Sequence, residues 1–256
     1  MSYESHSTTR FSNRVDNYVR YRPGYPDALP AQLEQDGILR SGMQIADIGS
    51  GTGISTALFL KKGYPVFAVE PNGDMRRKAE EQLGSLPGFS SINGTAEQTT
   101  LPDNSADLII AGQAFHWFDR EKTRAEFRRI SRPGAYAALF WNLRLTDTPF
   151  AREYEKLLQR FGTDYKQVGH KEMASEDKIA AFFAPEPYLV RTFDNEQHFD
   201  FEGLKGRLLS SSYAPEAGHP EHLPMLDELK RLYDRYAASG IVRFGYTTVL
   251  YAGKIN

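Results

Sequence analysis

The chain contains no cysteine. That removes disulfide frameworks, thiol nucleophiles and thiolate metal sites, and it agrees with a reducing compartment. No apolar run approaches the roughly 20 residues a membrane-spanning helix needs. The opening stretch MSYESHSTTRFSNRV carries no basic-then-apolar signal, so a cytoplasmic protein without a membrane partner is expected. Neither sign of charge dominates. Lys+Arg 31 against Asp+Glu 33 gives a formal net charge of -2, which provides no general field for nucleic acid or an anionic surface. The arginine-rich stretches MRRKAEE and EFRRISR mix both signs at helical spacing and read as solvated helix faces. The histidines are scattered, with no pair at ligand spacing beside a carboxylate, so no metal site is expected. Repeats, low-complexity tracts and interdomain linkers are lacking too.

What is present is a chain of 256 residues that is 40% hydrophobic, sufficient for one large α/β domain. Phe11, Val15, Tyr18 and Tyr21 share one face of a short helix ended by Pro23. PDALPAQLEQDGI suggests a second helix. From there strand and helix alternate: MQIADIG, ISTALFLKKG, PVFAVE, GDMRRKAEEQLG, GFSSING, ADLIIAG, DREKTRAEFRRIS with Asp119 as N-cap, and GAYAALFW. Such alternation means parallel strands joined by right-handed crossovers. After Trp141 the rhythm breaks into a helix (PFAREYEKLLQRFG), a polar stretch near 163–177, a strand (PYLVRTFDNEQHFDF), helices around EGLKGRLLSSS and HLPMLDELKRLYDRYAAS, and a final strand IVRFGYTTVLYAGKI. The expected architecture is a doubly wound, Rossmann-like α/β sheet of about seven strands with an antiparallel C-terminal strand. One domain is expected, divided into an N-terminal helical cap (1–42), a cofactor-binding core (43–142), a strand with helical lid insertions (143–240) and a closing strand (241–256).

Gly49, Gly51 and Gly53 alternate where the first strand must turn into a helix. Glycine allows that turn and leaves no Cβ in the way of a ligand. Glu70 ends the next strand, where a carboxylate can accept both ribose hydroxyls. A nucleoside ligand follows. The dinucleotide fingerprint G-x-G-x-x-G would put its third glycine at Ile54, one position off, and Asp47 would sit awkwardly beside a pyrophosphate. A ligand with a cationic amino-acid tail is favoured over a nicotinamide dinucleotide, although an oxidoreductase and a non-catalytic binding protein of the same fold remain alternatives.

IADIGSGTG, VFAVEPN and GTAEQTTLPDNSADLIIAGQAFHWFD, in this order, resemble the motifs of the class I S-adenosylmethionine-dependent methyltransferases, in particular the type 11-like, small-molecule branch. NYVRYRPGYP and LLSSSYAP resemble features of a trans-aconitate methyltransferase-like subgroup. The resemblance implies S-adenosylmethionine as cofactor and a small-molecule acceptor, with O-methylation, including that of a carboxylate, as the expected reaction. It implies that Gly49, Ser50 and Gly51 line the methionine moiety, that Glu70 holds the ribose with Pro71 beside the adenine, that Ala96 and Glu97 border the adenine edge, and that Gln113 and Ala114 face the sulfonium. The segment GQAFHW stands where many base and amide methylases carry an NPPY-like sequence.

Methyl transfer from a sulfonium needs alignment and exclusion of water, with a base only where the acceptor must lose a proton. His116 is a candidate base or orienting group, with a packed structural histidine as the alternative, and Trp117 and Phe118 are candidate walls for the cation. Tyr18, Tyr21 and Arg22 could close over the pocket and hold the methionine carboxylate or an acidic acceptor. Arg207, Ser211 and Tyr213 are expected to shape the acceptor side.

Overall fold

Short apolar runs bounded by glycine, proline or acidic residues become strands: Ile45–Ile48 (β1), Val66–Val69 (β2), Phe89–Ile92 (β3), Ala106–Gly112 (β4) and Ser131–Arg144 (β5). Two longer strands follow, Tyr188–Phe199 (β6) and Val242–Lys254 (β7). Helices with one apolar face separate them: Ala28–Gln35 (α1), Ile54–Leu60 (α2), Gly73–Leu83 (α3), Arg120–Ile130 (α4), Pro149–Phe161 (α5), Glu176–Phe183 (α6), Phe201–Leu209 (α7) and His222–Tyr236 (α8). These elements belong to a computed structural model that describes residues 19–163, 165 and 176–255.

The strands form one seven-stranded sheet in the order β3-β2-β1-β4-β5-β7-β6. β1 to β5 are parallel, and β7 runs antiparallel to both β5 and β6. Successive residues of a strand point to opposite faces, and both faces of this sheet are covered. Ala46, Ile48, Ile109, Ala111, Leu139 and Trp141 enter one core. Ile45, Leu108, Ile110, Ala138 and Phe140 enter the other. This is why β1 and β4 read as continuous apolar runs rather than alternating ones. Because the chain order reverses between β1 and β4, the loops leaving their carboxyl ends diverge and leave a crevice there.

A third core lies beyond the sheet. Phe150, Tyr154 and Leu158 of α5, Leu204 and Leu208 of α7, and Leu229 and Leu232 of α8 pack around Phe244 and Tyr246 of β7. The inserted helices therefore dock on the extended end of the last strand. Residues 19–21 are helical up to Arg22 and Pro23, while the rest of the helix expected from Phe11 lies outside the described residues. The polar stretch near 163–177 also falls largely outside them. α6 is an element the sequence reading did not anticipate. Ile179, Phe182 and Phe183 recur at i, i+3 and i+4 and seal Phe115 and Tyr251 from water, but a run that short carries a weak periodic signal. Among the described residues no helix is long and apolar enough to cross a membrane.

Candidate active site

The crevice at the reversal point is a cavity of about 460 Å³, within the size range of small-ligand sites. Its floor is the turn between β1 and α2. Gly49, Gly51 and Gly53 all have left-handed backbone, at φ +70, +58 and +86, a conformation that costs other residues about 1–2 kcal/mol. Their surroundings differ. A Cβ on Gly49 would lie 2.7 Å from Cβ of Ala114, so glycine there lets the ends of β1 and β4 approach. A Cβ on Gly53 would lie 2.5 Å from Cδ1 of Leu83 on α3. On Gly51 it would meet only Met75 Sδ at 3.7 Å. Gly49, Ser50 and Gly51 line the cavity, and Gly53 does not. Gly53, expected from the sequence to border the ligand, has a packing role against Leu83 at the start of α2.

Asp47 is likewise turned away from the cavity. Its Oδ2 accepts hydrogen bonds from Ser55 Oγ and Thr56 Oγ1, both at 2.7 Å, while its buried Oδ1 has no partner. Burial pushes its carboxyl up to about 6 against the pull of those two hydroxyls.

Glu70 follows β2 and is 7% exposed. Its Oε2 accepts the Gly51 N–H at 2.9 Å and its Oε1 accepts the Asn72 N–H at 2.8 Å. Burial raises its pKa against these two bonds. An ionised carboxylate has about four acceptor positions. Two are used by the backbone, leaving capacity for a pair of hydroxyl donors. Ser50 Oγ and Thr52 Oγ1, both in the cavity wall, are buried without a hydrogen-bond partner. Unsatisfied buried hydroxyls beside a carboxylate with spare acceptor positions are what a polar nucleoside would complete.

Pro71, Ala96 and Glu97 border the same cavity. Glu97 also accepts the Asp119 N–H at 2.9 Å, tying the loop after β3 to the start of α4. Gln113 leaves β4 with φ 57, unusual for a residue with a side chain. Its N–H donates to Phe140 O at 2.9 Å and its Nε2 to Asn142 O at 3.2 Å, and Ala114 beside it is buried. Backbone held in this way collects at binding sites.

His116 lies in a 3-10 turn, Phe115–Trp117, with Nδ1 buried and unpartnered. Burial, assisted by the charge of Lys178, lowers its pKa to about 4, so the ring is neutral near pH 7. Trp117 and Phe118 join it in the cavity wall.

The N-terminal segment closes one side. Tyr25 packs edge-on to Phe140 with centroids 4.6 Å apart, and Arg22 Nη2 donates to Ser210 O at 3.1 Å after α7. Asn142 Nδ2 donates to Gly24 O at 3.0 Å, while Asn142 Oδ1 accepts from Thr248 Oγ1 at 2.6 Å. Gln197 Nε2 donates to Tyr21 O at 3.1 Å. Arg22, Arg207 and Tyr213 line the cavity. Tyr21 packs on Gly206 and Ser211 Oγ accepts from Arg207 Nη1 at 3.2 Å, neither in the wall itself, and Tyr18 lies outside the described residues. Tyr25, Asn142 and Tyr246 also belong to the wall and were missed by sequence reasoning. Only Asn142 carried a signal, as a polar residue closing the buried run AALFW.

Residues 46–139 match the family described as Methyltransferase domain. An uncharacterized methyltransferase of Mycobacterium tuberculosis is 33% identical over 152 residues, 59% of this chain. The match spans 60% of that relative's length. Among solved structures, one named for a candidate type II methyltransferase of Anaeromyxobacter dehalogenans has a TM-score of 0.67 at 23% identity, covering 92% of this chain and 98% of its own. A SAM-dependent methyltransferase of Aquifex aeolicus has a TM-score of 0.55 at 17% identity, covering 96% and 98%. At such identities the structures share the fold. Residues 46–139 of this chain are thus similar to a methyltransferase domain, and the chain shares the fold of the two solved methyltransferase structures. None of these three relatives bears on the trans-aconitate methyltransferase-like subgroup.

Proposed function

We propose that this chain methylates a small-molecule acceptor with S-adenosylmethionine, at an oxygen and specifically a carboxylate oxygen. The observation that carries the reading is the buried Glu70 carboxylate, with two acceptor positions unspent, facing a glycine turn whose Ser50 and Thr52 hydroxyls lack partners. In this reading Glu70 takes the ribose hydroxyls, Pro71, Ala96 and Glu97 border the adenine, and Gly49, Ser50 and Gly51 run along the methionine portion. Gln113 and Ala114 face the sulfur, with Trp117 and Phe118 as aromatic walls suited to a cation. Arg22 takes the methionine carboxylate, and Tyr18 stays a candidate from the sequence alone.

Bound S-adenosylmethionine supplies a methyl on a positively charged sulfur, and forming the O–C bond as the S–C bond breaks turns a carboxylate into a neutral ester with no proton to remove. The properties of His116 favour such an acceptor. A ring whose pKa is lowered to about 4 is a weak base at neutral pH, so His116 serves as an orienting hydrogen-bond group rather than a proton acceptor. The near-neutral net charge of -2 supports a small acceptor over nucleic acid, and a cytoplasmic setting belongs to the same proposal.

Side-by-side calorimetric titration with S-adenosylmethionine, S-adenosylhomocysteine, NAD and NADP tests it. Saturable binding of the two sulfur nucleosides alone is expected. A response only to a nicotinamide nucleotide, or to none of the four, overturns the proposal.

A further inference from the structure

The loop after β3 supplies Thr95, Ala96 and Glu97 to the cavity wall, yet its internal bonding is sparse. Thr95 N–H donates to Gln98 O at 3.0 Å and Gln98 N–H to Thr95 Oγ1 at 3.1 Å, closing one tight turn. Among the described residues the N–H groups of Ala96 and Glu97 have no acceptor. Two neighbouring donors in a cavity wall suit a ligand with an acceptor edge.

What fixes this loop comes from one helix. Glu97 Oε1 accepts the N–H of Asp119, the residue that caps α4, at 2.9 Å. About two turns further on, Glu126 Oε1 accepts the Thr99 N–H at 2.8 Å and the Thr99 hydroxyl at 2.5 Å. The loop is thus tied to a single rigid element on either side of Gln98. Arg129 extends the clasp: its Nε donates to Glu126 Oε2 at 2.8 Å, and its Nη2 donates to both Glu126 Oε1 at 2.7 Å and Leu101 O at 2.8 Å. There is little slack. A Cβ on Gly94 would lie 2.4 Å from Thr99 O, and Thr100 takes left-handed backbone at φ 66, which a β-branched residue adopts only when its surroundings impose it.

Glu126 is buried and outside the cavity wall. Against the effect of burial, hydrogen bonds from Arg129 and Thr99 bring its carboxyl down to about 2, so it stays ionised at neutral pH. Packing α4 on the sheet does not call for a carboxylate, since the fully buried Phe127 and Ile130 of the same helix do that. A neutral amide at this position would turn an N–H group toward Arg129 or Thr99, donor against donor.

We infer that Glu126 is a positioning residue for nucleobase choice: it fixes the Ala96 and Glu97 N–H groups for a purine whose ring nitrogen accepts, as in adenine, and against one whose ring nitrogen carries hydrogen, as in hypoxanthine. A donor facing a donor leaves both unpaired, which is how a hydrogen-bonding site rejects a near-isosteric ligand. This inference rests on the methyltransferase reading and adds to it the control of base selection from a neighbouring helix.

Calorimetric titration with S-adenosylhomocysteine and S-inosylhomocysteine tests it. The parent should bind the adenosyl compound at least about tenfold more tightly. Glu126→Gln should shrink that ratio by at least about fivefold, chiefly through weaker adenosyl binding. Thr99→Val keeps the N–H bond to Glu126 and loses the hydroxyl bond; it should shrink the ratio less, and it covers the case in which the glutamine variant does not fold. Thr99→Ser, which retains both bonds, should keep the parent ratio. So should Asp103→Ala, which removes only the exposed partner of Arg129. A purely structural role would lower the melting temperature of the Glu126 and Thr99 variants and leave the ratio of the two affinities unchanged. The inference is overturned if the parent binds both nucleosides equally, if Glu126→Gln and Thr99→Val both keep the parent ratio, or if Thr99→Ser or Asp103→Ala shifts it as far as Glu126→Gln does. Failure of the parent to bind S-adenosylhomocysteine at all would instead remove the methyltransferase reading beneath it.

Discussion

The aromatic ring of Tyr21 fills the notch left by the missing side chain of Gly206, where a Cβ would collide with the edge of the ring. The contact locks the N-terminal segment to α7, and the next residue, Arg22, bonds to Ser210 O at the end of that helix. Gly206→Ala should displace the ring, cost about 1–3 kcal/mol as overpacking does, and weaken S-adenosylhomocysteine binding through Arg22. In a Tyr21→Ala background the glycine substitution should cost far less. A double-mutant cycle by urea denaturation measures the coupling, and additive effects would contradict the contact.

Glu70→Ala should lower affinity for S-adenosylhomocysteine by about tenfold or more, since a hydrogen bond to a charged group contributes about 1.5–3 kcal/mol. Calorimetry reads the affinity and circular dichroism the fold. Because Glu70 also accepts from Gly51 and Asn72, a modest drop in melting temperature should accompany the change. Unchanged affinity would remove the ribose assignment.

Two glycines in the turn that leads into α2, Gly51 and Gly53, should behave differently. Gly51→Ala and Gly53→Ala share the cost of a left-handed backbone, about 1–2 kcal/mol, yet Gly53→Ala collides with Leu83 Cδ1 at 2.5 Å while Gly51→Ala makes only an ordinary contact with Met75 Sδ at 3.7 Å. Thermal denaturation should show Gly53→Ala as the more destabilised variant. Ligand titration should show Gly51→Ala as the one that binds poorly while folded.

Asp47 makes stability depend on pH with a defined sign. Its carboxyl is raised from 3.8 to about 6 in the fold, so the native state holds its proton more tightly than the unfolded chain does. Its contribution is fully present below about pH 4 and is lost as pH rises through about 6. The span corresponds to roughly 3 kcal/mol. Asp47→Asn should be insensitive to this titration while still accepting from Ser55 and Thr56. Relative to the parent it should gain stability between pH 4 and 7, and parallel denaturation curves at the two pH values would refute the assignment.

His116→Gln tests the orienting role. Methylation of a carboxylate acceptor should fall by less than the factor of about 10²–10⁴ that loss of a general base causes. The parent enzyme should show no rate inflection from an imidazole between pH 5.5 and 7.5, because the ring titrates at about 4. A steep inflection in that window, abolished by His116→Gln, would make His116 the base.

Much of the fold was legible in the sequence because it rests on local rules. Apolar runs such as ADLIIAG and AALFW, the alternating glycines and the Asp119 cap act within a few residues of themselves, and each takes the form expected. Even the crevice follows from them, since alternating strands and helices leave a ligand site at the carboxyl ends. Other features depend on residues that meet only when the chain is folded. That Gly53 packs against Leu83, and that Asp47 turns beneath the floor, follows from the packing of α2 and α3. Asn142 meets Gly24 across 118 positions, a contact no spacing rule encodes. Arg207 was placed on the acceptor side by its position in the chain, but only its burial, set by the docking of α7 on β7, distinguishes it from a solvated surface charge.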